Sequence, residues 1–232
     1  MVKECIILAG GFGTRLQSVV QDVPKCMAEV AGKPFLSYLL KYLSSQNFDH
    51  IILALGYKSE VVIEWIKGQM FQFKISYVIE PEPLGTGGAI KFAFEKVISN
   101  KAFVINGDTF FDINSNQLYD FQNKNNSDIT IALKPMIEFD RYGSVQVDKQ
   151  NRIIKFNEKR FCENGLINGG IYLIKKELFC RFDLPSKFSF EKDILENKID
   201  DIAIYGDIQD SYFIDIGIPS DYAKANIDFA NM

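Results

Sequence analysis

The sequence predicts an α/β protein with a Rossmann-like, mixed and mainly parallel sheet flanked by helices. Short apolar runs alternate with longer amphipathic stretches, which is typical of β-α units that build a parallel sheet. The chain has 232 residues, 47% of them hydrophobic, which is enough for one full core. No linker-like segment and no internal repeat divides it. We therefore expect a single domain that spans residues 1–232.

Four apolar runs in the first half are predicted to be strands, at residues 6–9, 51–55, 75–79 and 102–105. A first helix is predicted to open at Pro34, the residue type favoured in the first turn, with apolar side chains repeating at helical spacing. A second helix is predicted from a cap at Ser59 to Gly68. A third is predicted over residues 89–98.

After about Ser127 the strand-like runs follow one another closely, so the second half of the sheet should be mixed. Its predicted strands cover residues 129–133, 144–147, 153–156, 166–174 and 202–205. Helical stretches are predicted at residues 176–182 and 190–199, and a final helix after Pro219 and Ser220, which form its expected cap.

Charge excludes several classes of partner. The net charge is -4 and the sequence pI is about 5.2, so the molecule lacks the basic field that would hold a nucleic acid or an anionic membrane. Any anionic ligand must therefore be small and must be met by local cations. The apolar run at the start is too short for a signal peptide or a membrane span. The four cysteines are Cys5, Cys26, Cys162 and Cys180. They are far apart in the sequence and lack C-x-x-C spacing, which favours reduced, buried thiols in a cytoplasmic protein.

A glycine-rich loop follows the first predicted strand, where an open α/β sheet places its ligands. Gly10, Gly11 and Gly13 would let backbone amides approach a phosphate closely, and Arg15 adds a permanently charged, forked donor. A tight turn that only needs positive φ is the alternative. The dinucleotide fingerprint fails because Leu16 replaces its third glycine, and the P-loop fails because Pro34 follows Lys33.

Further motifs follow the glycine loop in a fixed order. Residues 8–16 and the pair Pro24-Lys25 resemble the signature region of the sugar-phosphate nucleotidyltransferases. The resemblance continues through residues 82–89, 106–108, 157–159, 166–172 and 213–217. Within that family the sequence is most similar to the D-glycero-α-D-manno-heptose 1-phosphate guanylyltransferases. Residues 1–125 would then form mainly the nucleotide-binding half and residues 126–232 mainly the sugar-binding half.

The resemblance implies a reaction between GTP, or another nucleoside triphosphate, and a sugar 1-phosphate on Mg²⁺. The expected catalytic residues are Arg15, Lys25 and Asp108, with Asp108 and Asp215 as magnesium ligands, a reasonable shell when substrate phosphates complete it. The expected nucleotide-binding residues are Leu8, Ala9, Gly10, Gly11, Gly13, Thr14, Glu80, Pro83, Gly85 and Thr86. The expected sugar-binding residues are Asn106, Gly143, Glu158, Lys159, Asn168 and Gly170.

No general base is expected, because a sugar phosphate is already ionised near neutral pH and catalysis is then mostly positioning and charge neutralisation. The single histidine, His50, is expected to be structural. The resemblance also implies a place in the synthesis of a capsule polysaccharide or another surface glycan.

Several alternatives stay open from the sequence. Mannose or another hexose could replace heptose, with GTP, UTP or dTTP as the nucleotide, since base contacts cannot be read from spacing. A sugar-nucleotide sensor without activity is the alternative from another class, although such a binder would not need Arg15, Lys25, Asp108 and Asp215 together. The sequence does not determine the oligomeric state, and a homo-oligomer remains open.

Overall fold

The computed structural model describes residues 2–11, 16, 20 and 23–231. Its first half contains β1 (Glu4–Leu8), β2 (Glu29–Val30), β3 (Lys33–Pro34), α1 (Phe35–Ser45), β4 (His50–Leu55), α2 (Ser59–Lys67), β5 (Lys74–Ile79), α3 (Gly85–Ala93) and β6 (Lys101–Asn106). The predicted strands of this half are confirmed with small shifts of their bounds. Strands β6, β1, β4 and β5 are adjacent and parallel, so their carboxyl ends meet at one edge of the sheet.

The second half contains β7 (Thr109–Phe111), α4 (Ser115–Asn125), β8 (Ile129–Phe139), β9 (Gly143–Val147), β10 (Ile153–Lys159), β11 (Cys162–Lys175), β12 (Ile204–Ile208), β13 (Phe213–Asp215) and α5 (Pro219–Ala230). Strand β11 lies antiparallel to β6 and also pairs with β8 and β9. Among the described residues the main sheet therefore has nine strands, parallel in its first half and mostly antiparallel beyond β6, as the mixed pattern predicts.

Two apolar cores cover the two faces of this sheet. The side chains of β1 alternate between them, with Cys5 and Ile7 in one core and Ile6 in the other, as the period of two along a strand requires. Helices α1, α2 and α5 pack on the first face, and α3 packs on the second. The helix α1 that follows β1 and the helix α3 that precedes β6 thus lie on opposite faces of the sheet. The carboxyl ends of β1 and β6 are therefore the topological switch point, where an open α/β sheet binds its ligands.

Four local predictions were wrong. Pro34 does not open the first helix but pairs in β3 and is the N-cap of α1, which begins at Phe35. The third helix begins at Gly85, four residues before the predicted start, and continues after Ala93 only as a 3₁₀ turn. Ser59 is the first residue of α2, while its N-cap is Lys58 in a left-handed conformation at φ 50°. Pro219 occupies the first turn of α5, so the cap is Ile218. The two helical stretches of the second half form a 3₁₀ turn and a π-helical segment, at Lys176–Cys180 and Phe190–Glu196.

All four cysteines are among the described residues and are free. Cys5 and Cys26 are buried as expected. Cys162, the first residue of β11, is half-buried, and Cys180, at the end of the 3₁₀ turn that follows β11, is exposed. In the described ranges of the chain, no helix combines the length and the apolarity that a membrane span requires.

The buried carboxylate of Glu4 connects the amino-terminal ends of the parallel strands, at the edge of the sheet opposite the switch point. Glu4 accepts hydrogen bonds from the amides of Ile98 and Ser99 at 2.9 and 2.6 Å. Its other oxygen lies 2.8 Å from His50 Nδ1, and His50 Nε2 lies 2.9 Å from Ser76 Oγ. Burial raises the pKa of Glu4, but the hydrogen bonds outweigh burial and leave the pKa below its usual 4.5. His50 is thus structural, as expected.

This network predicts acid sensitivity of the fold. Because the pKa of Glu4 is lowered on folding, its carboxylate stabilises the native state above pH 4.5, and this contribution is lost as the pH falls through the lower folded value. We expect Glu4→Gln to reduce the free energy of unfolding at neutral pH by about 1–3 kcal/mol. It should also weaken the dependence of that free energy on pH in the acid range, measured by urea denaturation. The control is Glu95→Gln, at an exposed position. Equal effects of the two substitutions would contradict this role.

Candidate active site

A cavity of about 340 Å³ opens at the switch point of the sheet. Every described member of the predicted nucleotide-binding set lines it: Leu8, Ala9, Gly10, Gly11, Glu80, Pro83, Gly85 and Thr86. These residues follow the carboxyl ends of β1 and β5 or begin α3, which explains how distant segments reach one cavity. Gly13 and Thr14 of the same set, and Arg15 of the predicted catalytic residues, lie outside the described residues.

A second cavity, of about 770 Å³, adjoins the first on the side of the antiparallel strands. It is lined by the whole predicted sugar-binding set: Asn106, Gly143, Glu158, Lys159, Asn168 and Gly170. Three of the described residues line both cavities, namely Thr86, Asn106 and Glu191. The two cavities therefore form one continuous cleft with a narrow boundary.

Asp108 is carried into this cleft by the turn that ends β6. The amide of Gly107 donates to the carbonyl of Leu8 at 2.9 Å. A Cβ at Gly107 would lie 2.5 Å from that carbonyl oxygen, so only glycine permits this approach. The following strand, β7, pairs antiparallel with β13, with Thr109 opposite Asp215. This two-stranded ribbon brings Asp215 next to Asp108, although 106 residues separate them in the chain.

The ammonium group of Lys25 lies between these two carboxylates. Lys25 begins a 3₁₀ turn directly after Pro24, and its side chain is 16% exposed. Its Nζ donates to Asp108 Oδ2 and lies 3.8 Å from Asp215 Oδ1. The sequence predicts all three residues in the site, and the fold brings them to one point. There they line the cleft, Lys25 and Asp108 on the first cavity and Asp215 on the second.

The electrostatics of this centre favour a further cation. Desolvation raises the pKa of Asp215, the charge of Asp108 raises it further, and Lys25 together with the amide of Gly217 opposes both effects. Two carboxylates thus share one ammonium group. Across the described segments, no cluster of three or more potential metal-ligating side chains occurs. A divalent cation here would therefore have two protein carboxylates and would need its remaining ligands from substrate oxygens and water, the arrangement that Mg²⁺ commonly accepts.

Glu80 forms one wall of the first cavity. The amide of Leu84 donates to Glu80 Oε2 at 2.9 Å. Burial raises the pKa of Glu80, which the hydrogen bond from Leu84 partly offsets. Its other oxygen, Oε1, faces Gly10, because a Cβ on that glycine would lie 2.6 Å from it. The wall therefore offers a half-buried carboxylate acceptor beside the glycine loop.

A bulge in β11 shapes the floor of the second cavity. The register of β11 against β8 shifts between Asn168 and Tyr172, and Gly170 there has φ 72°. Asn168 Oδ1 accepts from the amide of Gly170 at 3.0 Å, and its Nδ2 donates to the Tyr172 hydroxyl at 2.9 Å. A Cβ on Gly170 would lie 2.7 Å from Asn106 Nδ2. The bulge thus turns amide and hydroxyl groups toward the cleft.

Sequence reasoning missed several charged or phenolic side chains of the cleft, among them Arg141, Tyr142 and Glu191. Arg141 and Tyr142 line the second cavity immediately before Gly143, and Arg141 forms an ion pair with Asp221 of α5. Their position next to Gly143, a predicted sugar-binding residue, was the one sequence feature that could have indicated them. Glu191, at the boundary of the two cavities, lies in a segment whose sequence resembles an ordinary solvated helix, and it carried no such signal.

Comparison with known proteins agrees with this geometry. The family model described as nucleotidyl transferase matches residues 4–231. The D-glycero-α-D-manno-heptose 1-phosphate guanylyltransferase of Campylobacter jejuni is 51% identical over 219 residues, covering 94% of this chain and 96% of the relative. The enzyme of the same description from Aneurinibacillus thermoaerophilus is 47% identical over 222 residues, covering 96% of each chain.

A solved structure is also similar over nearly the whole chain. The HddC protein of Yersinia pseudotuberculosis, crystallised in complex with GMP-PN, superposes with a TM-score of 0.88 at 39% sequence identity. The match covers 98% of this chain and 100% of that one. The predicted fold class, a mixed sheet flanked by helices in one domain, is therefore confirmed.

Proposed function

The chain belongs to the nucleotidyl transferase family, and on that premise we propose that it transfers GMP from GTP to D-glycero-α-D-manno-heptose 1-phosphate. The products are GDP-heptose and pyrophosphate. One observation carries the proposal: Lys25, Asp108 and Asp215 meet at one point in a cleft made of two adjoining cavities. Such a centre suits a reaction in which two anionic substrates must be brought into contact.

The first cavity would hold the nucleotide and the second the sugar phosphate. The glycine loop would bind the triphosphate through the amides of Gly10 and Gly11, joined by Gly13 and Arg15 as the family resemblance implies. Lys25 would neutralise the reacting phosphates, since its ammonium group lies where the cavities adjoin. Lys159, in the wall of the second cavity, is available to the phosphate of the sugar.

We propose Mg²⁺ as the metal, held by Asp108 and Asp215. The two carboxylates supply hard oxygen ligands. Burial and then the charge of Asp108 raise the pKa of Asp215, and a divalent cation would relieve the repulsion between the two carboxylates. When bound, the metal would neutralise charge on the phosphates that are exchanged.

The proposed step is a single in-line displacement. An oxygen of the sugar phosphate forms a bond to the α-phosphorus of GTP, and the bond from that phosphorus to the bridging oxygen of the β-phosphate breaks. The electron pair leaves on pyrophosphate. The attacking oxygen is already ionised, so no side chain needs to remove a proton, and the residues of the cleft position the substrates and neutralise charge.

Glu80 supports guanine as the base. The Watson–Crick edge of guanine presents two adjacent donors, N1–H and the N2 amino group, whereas uracil and thymine present a single N–H between two carbonyls. An ionised carboxylate only accepts hydrogen bonds, and Glu80 Oε1 faces the side of the cavity formed by Gly10. The complex of the HddC protein with GMP-PN supports the same base.

The experiment that tests this function is a coupled pyrophosphate assay over a matrix of substrates. GTP, ATP, UTP, CTP and dTTP are each combined with heptose, mannose, glucose and N-acetylglucosamine 1-phosphates in the presence of Mg²⁺. We expect the highest kcat/KM for GTP with D-glycero-α-D-manno-heptose 1-phosphate. A higher value for another pair would reassign the substrate, and no release with any pair would favour a sensor.

A substitution at Glu80 tests the base assignment. We expect Glu80→Gln to lower kcat/KM for GTP by about tenfold or more, because a carboxylate that accepts from both guanine donors is replaced by a group with donors of its own. Activity with UTP should not fall with it. Glu82→Gln changes an exposed glutamate two residues away and serves as the matched control. An equal loss with all nucleotides would refute the role of Glu80 in base selection.

A further inference from the structure

Glu191 lies on the boundary between the nucleotide cavity and the sugar cavity. It lines both, together with Thr86 from α3 and Asn106 from the end of β6. It belongs to the π-helical segment Phe190–Glu196, which also contributes Leu195 and Glu196 to the sugar cavity. Helical segments of this rare geometry are frequent at functional sites. The position of Glu191 therefore gives it access to both substrates.

One oxygen of the Glu191 carboxylate is held by two hydroxyl groups. Thr86 Oγ1 donates to Glu191 Oε2 at 2.6 Å, and Ser189 Oγ donates to the same oxygen at 3.1 Å. The Thr86 hydroxyl is itself fixed, since it accepts from the amide of Phe190 at 2.9 Å. The donors thus come from both halves of the chain. They orient the carboxylate before any substrate arrives.

The start of α3 is fixed to the same segment. The amide of Gly87 donates to the carbonyl of Phe188 at 3.0 Å, and the amide of Phe188 donates to the carbonyl of Leu84 at 3.0 Å. A Cβ on Gly85 would lie 2.6 Å from the Phe188 carbonyl oxygen, so the contact leaves no room for a side chain there. Thr86 and Glu191 are therefore held at a constant separation by backbone contacts as well as by their own hydrogen bond.

The second oxygen of Glu191 has no such partner. Within the described part of the chain, no hydrogen bond reaches Oε1 and no cation lies within ion-pair distance of the carboxylate. The carboxylate of Glu191 and Tyr172 both line the sugar cavity. Burial raises the pKa of Tyr172, and the negative charge of Glu191 raises it further. Oε1 of this half-buried carboxylate is therefore oriented in the cleft and available to accept a hydrogen bond from a ligand.

We propose that Glu191 Oε1 accepts a hydrogen bond from a ring hydroxyl of the sugar 1-phosphate and thereby selects the sugar. This role rests on the proposed function of the cleft. A hydroxyl is the donor that fits, because the phosphates of both substrates are anionic and the carboxylate repels them. The repulsion also favours the binding mode in which the sugar phosphate lies toward Lys25 and the hydroxyls lie toward Glu191.

Glu191→Gln tests the proposal with the folded enzyme. The amide oxygen of glutamine can still accept from Thr86 and Ser189, so the local contacts persist, while the ionised acceptor facing the sugar is lost. We expect the KM for the sugar 1-phosphate to rise about tenfold or more and the KM for GTP to stay near the wild-type value. Glu177→Gln, at an exposed position on the 3₁₀ turn after β11, is the matched control and should change neither constant.

Monodeoxy analogues of the sugar 1-phosphate identify the contact. For the wild-type enzyme, one analogue of the series should have a lower kcat/KM than the complete sugar 1-phosphate. For Glu191→Gln, the same analogue and the complete sugar 1-phosphate should have equal kcat/KM, because the variant already lacks the hydrogen bond to that hydroxyl. Full additivity for every analogue, or equal rises in both KM values, would overturn the role. The series is built on whichever sugar 1-phosphate gives the highest wild-type pyrophosphate release, so a wrong sugar assignment leaves the test intact. A wild-type enzyme inactive with every sugar would overturn both proposals.

Discussion

Lys25→Ala is expected to lower kcat for pyrophosphate release by about a hundredfold or more, the loss typical of one preorganised charge partner. The ammonium group of Lys25 contacts Asp108 and lies 3.8 Å from Asp215 at the point where the two cavities meet. Without it, the phosphates of the two substrates would repel each other with one less positive charge between them. The rate is measured under saturating GTP and sugar 1-phosphate.

Two further variants separate this effect from a loss of folding. Lys25→Met retains the aliphatic stem and should lose activity as strongly as Lys25→Ala while keeping a wild-type thermal transition. Lys41→Ala removes an exposed lysine from α1 and should retain full activity. A folded Lys25→Ala enzyme with near-normal turnover would show that the ammonium group does not act on the reacting phosphates.

Asp108→Asn is expected to cost about a hundredfold in kcat as well, since it removes one of two carboxylates available to the metal. The substitution keeps the size of the side chain, and the turn that carries it depends on Gly107 rather than on the carboxylate. The Mg²⁺ concentration required for half-maximal activity should also rise. A metal titration of the rate therefore distinguishes loss of a ligand from loss of the ion pair with Lys25.

Asp112→Asn is the matched control for this prediction. Asp112 directly follows the same short strand, β7, and its side chain is exposed and lines neither cavity of the cleft. It should leave both kcat and the metal requirement unchanged. If Asp108→Asn lowered the rate without changing the metal requirement, Asp108 would act on Lys25 alone and the proposed magnesium site would be wrong.

The parallel half of the fold could be predicted well from the sequence. Its strands are short, continuous apolar runs such as residues 51–55, all of which are fully buried, and such runs occur mainly in buried parallel sheets. Helix α4 could not be predicted, because the segment Ser115–Asn125 is mostly polar and buries only Ser115, Leu118 and Gln122. It lacks the apolar face from which a helix is normally recognised.

The start of α3 shows why local propensity misleads in this protein. Glycine disfavours helix, so the segment with Gly85, Gly87 and Gly88 reads as a loop, and the prediction began at Ala89. In the fold, the Phe188 carbonyl accepts from the amides of Gly87 and Gly88, and the glycines allow the close packing of that segment. A contact across about a hundred residues thus overrides the local preference.

The site could be predicted only in part from the residues. The glycine loop and the strand ends indicate a phosphate site by themselves, but the pairing of Asp108 with Asp215 depends on β7 and β13, which have three residues each. Strands that short carry no periodic signal. The resemblance to known enzymes supplied that pair. Glu191 was missed because its partner Thr86 is distant in the sequence and becomes a neighbour only after folding.

The stereochemical course at the α-phosphorus tests the central claim most directly. The cleft is proposed to bring the sugar phosphate into line with the leaving pyrophosphate, with no group of the protein bonded to phosphorus in between. A single displacement on GTP carrying sulfur at one α-phosphate position should therefore give the GDP-sugar thio analogue with inverted configuration, read by ³¹P NMR. Retention of configuration would require two displacements through a covalent enzyme intermediate and would contradict direct transfer.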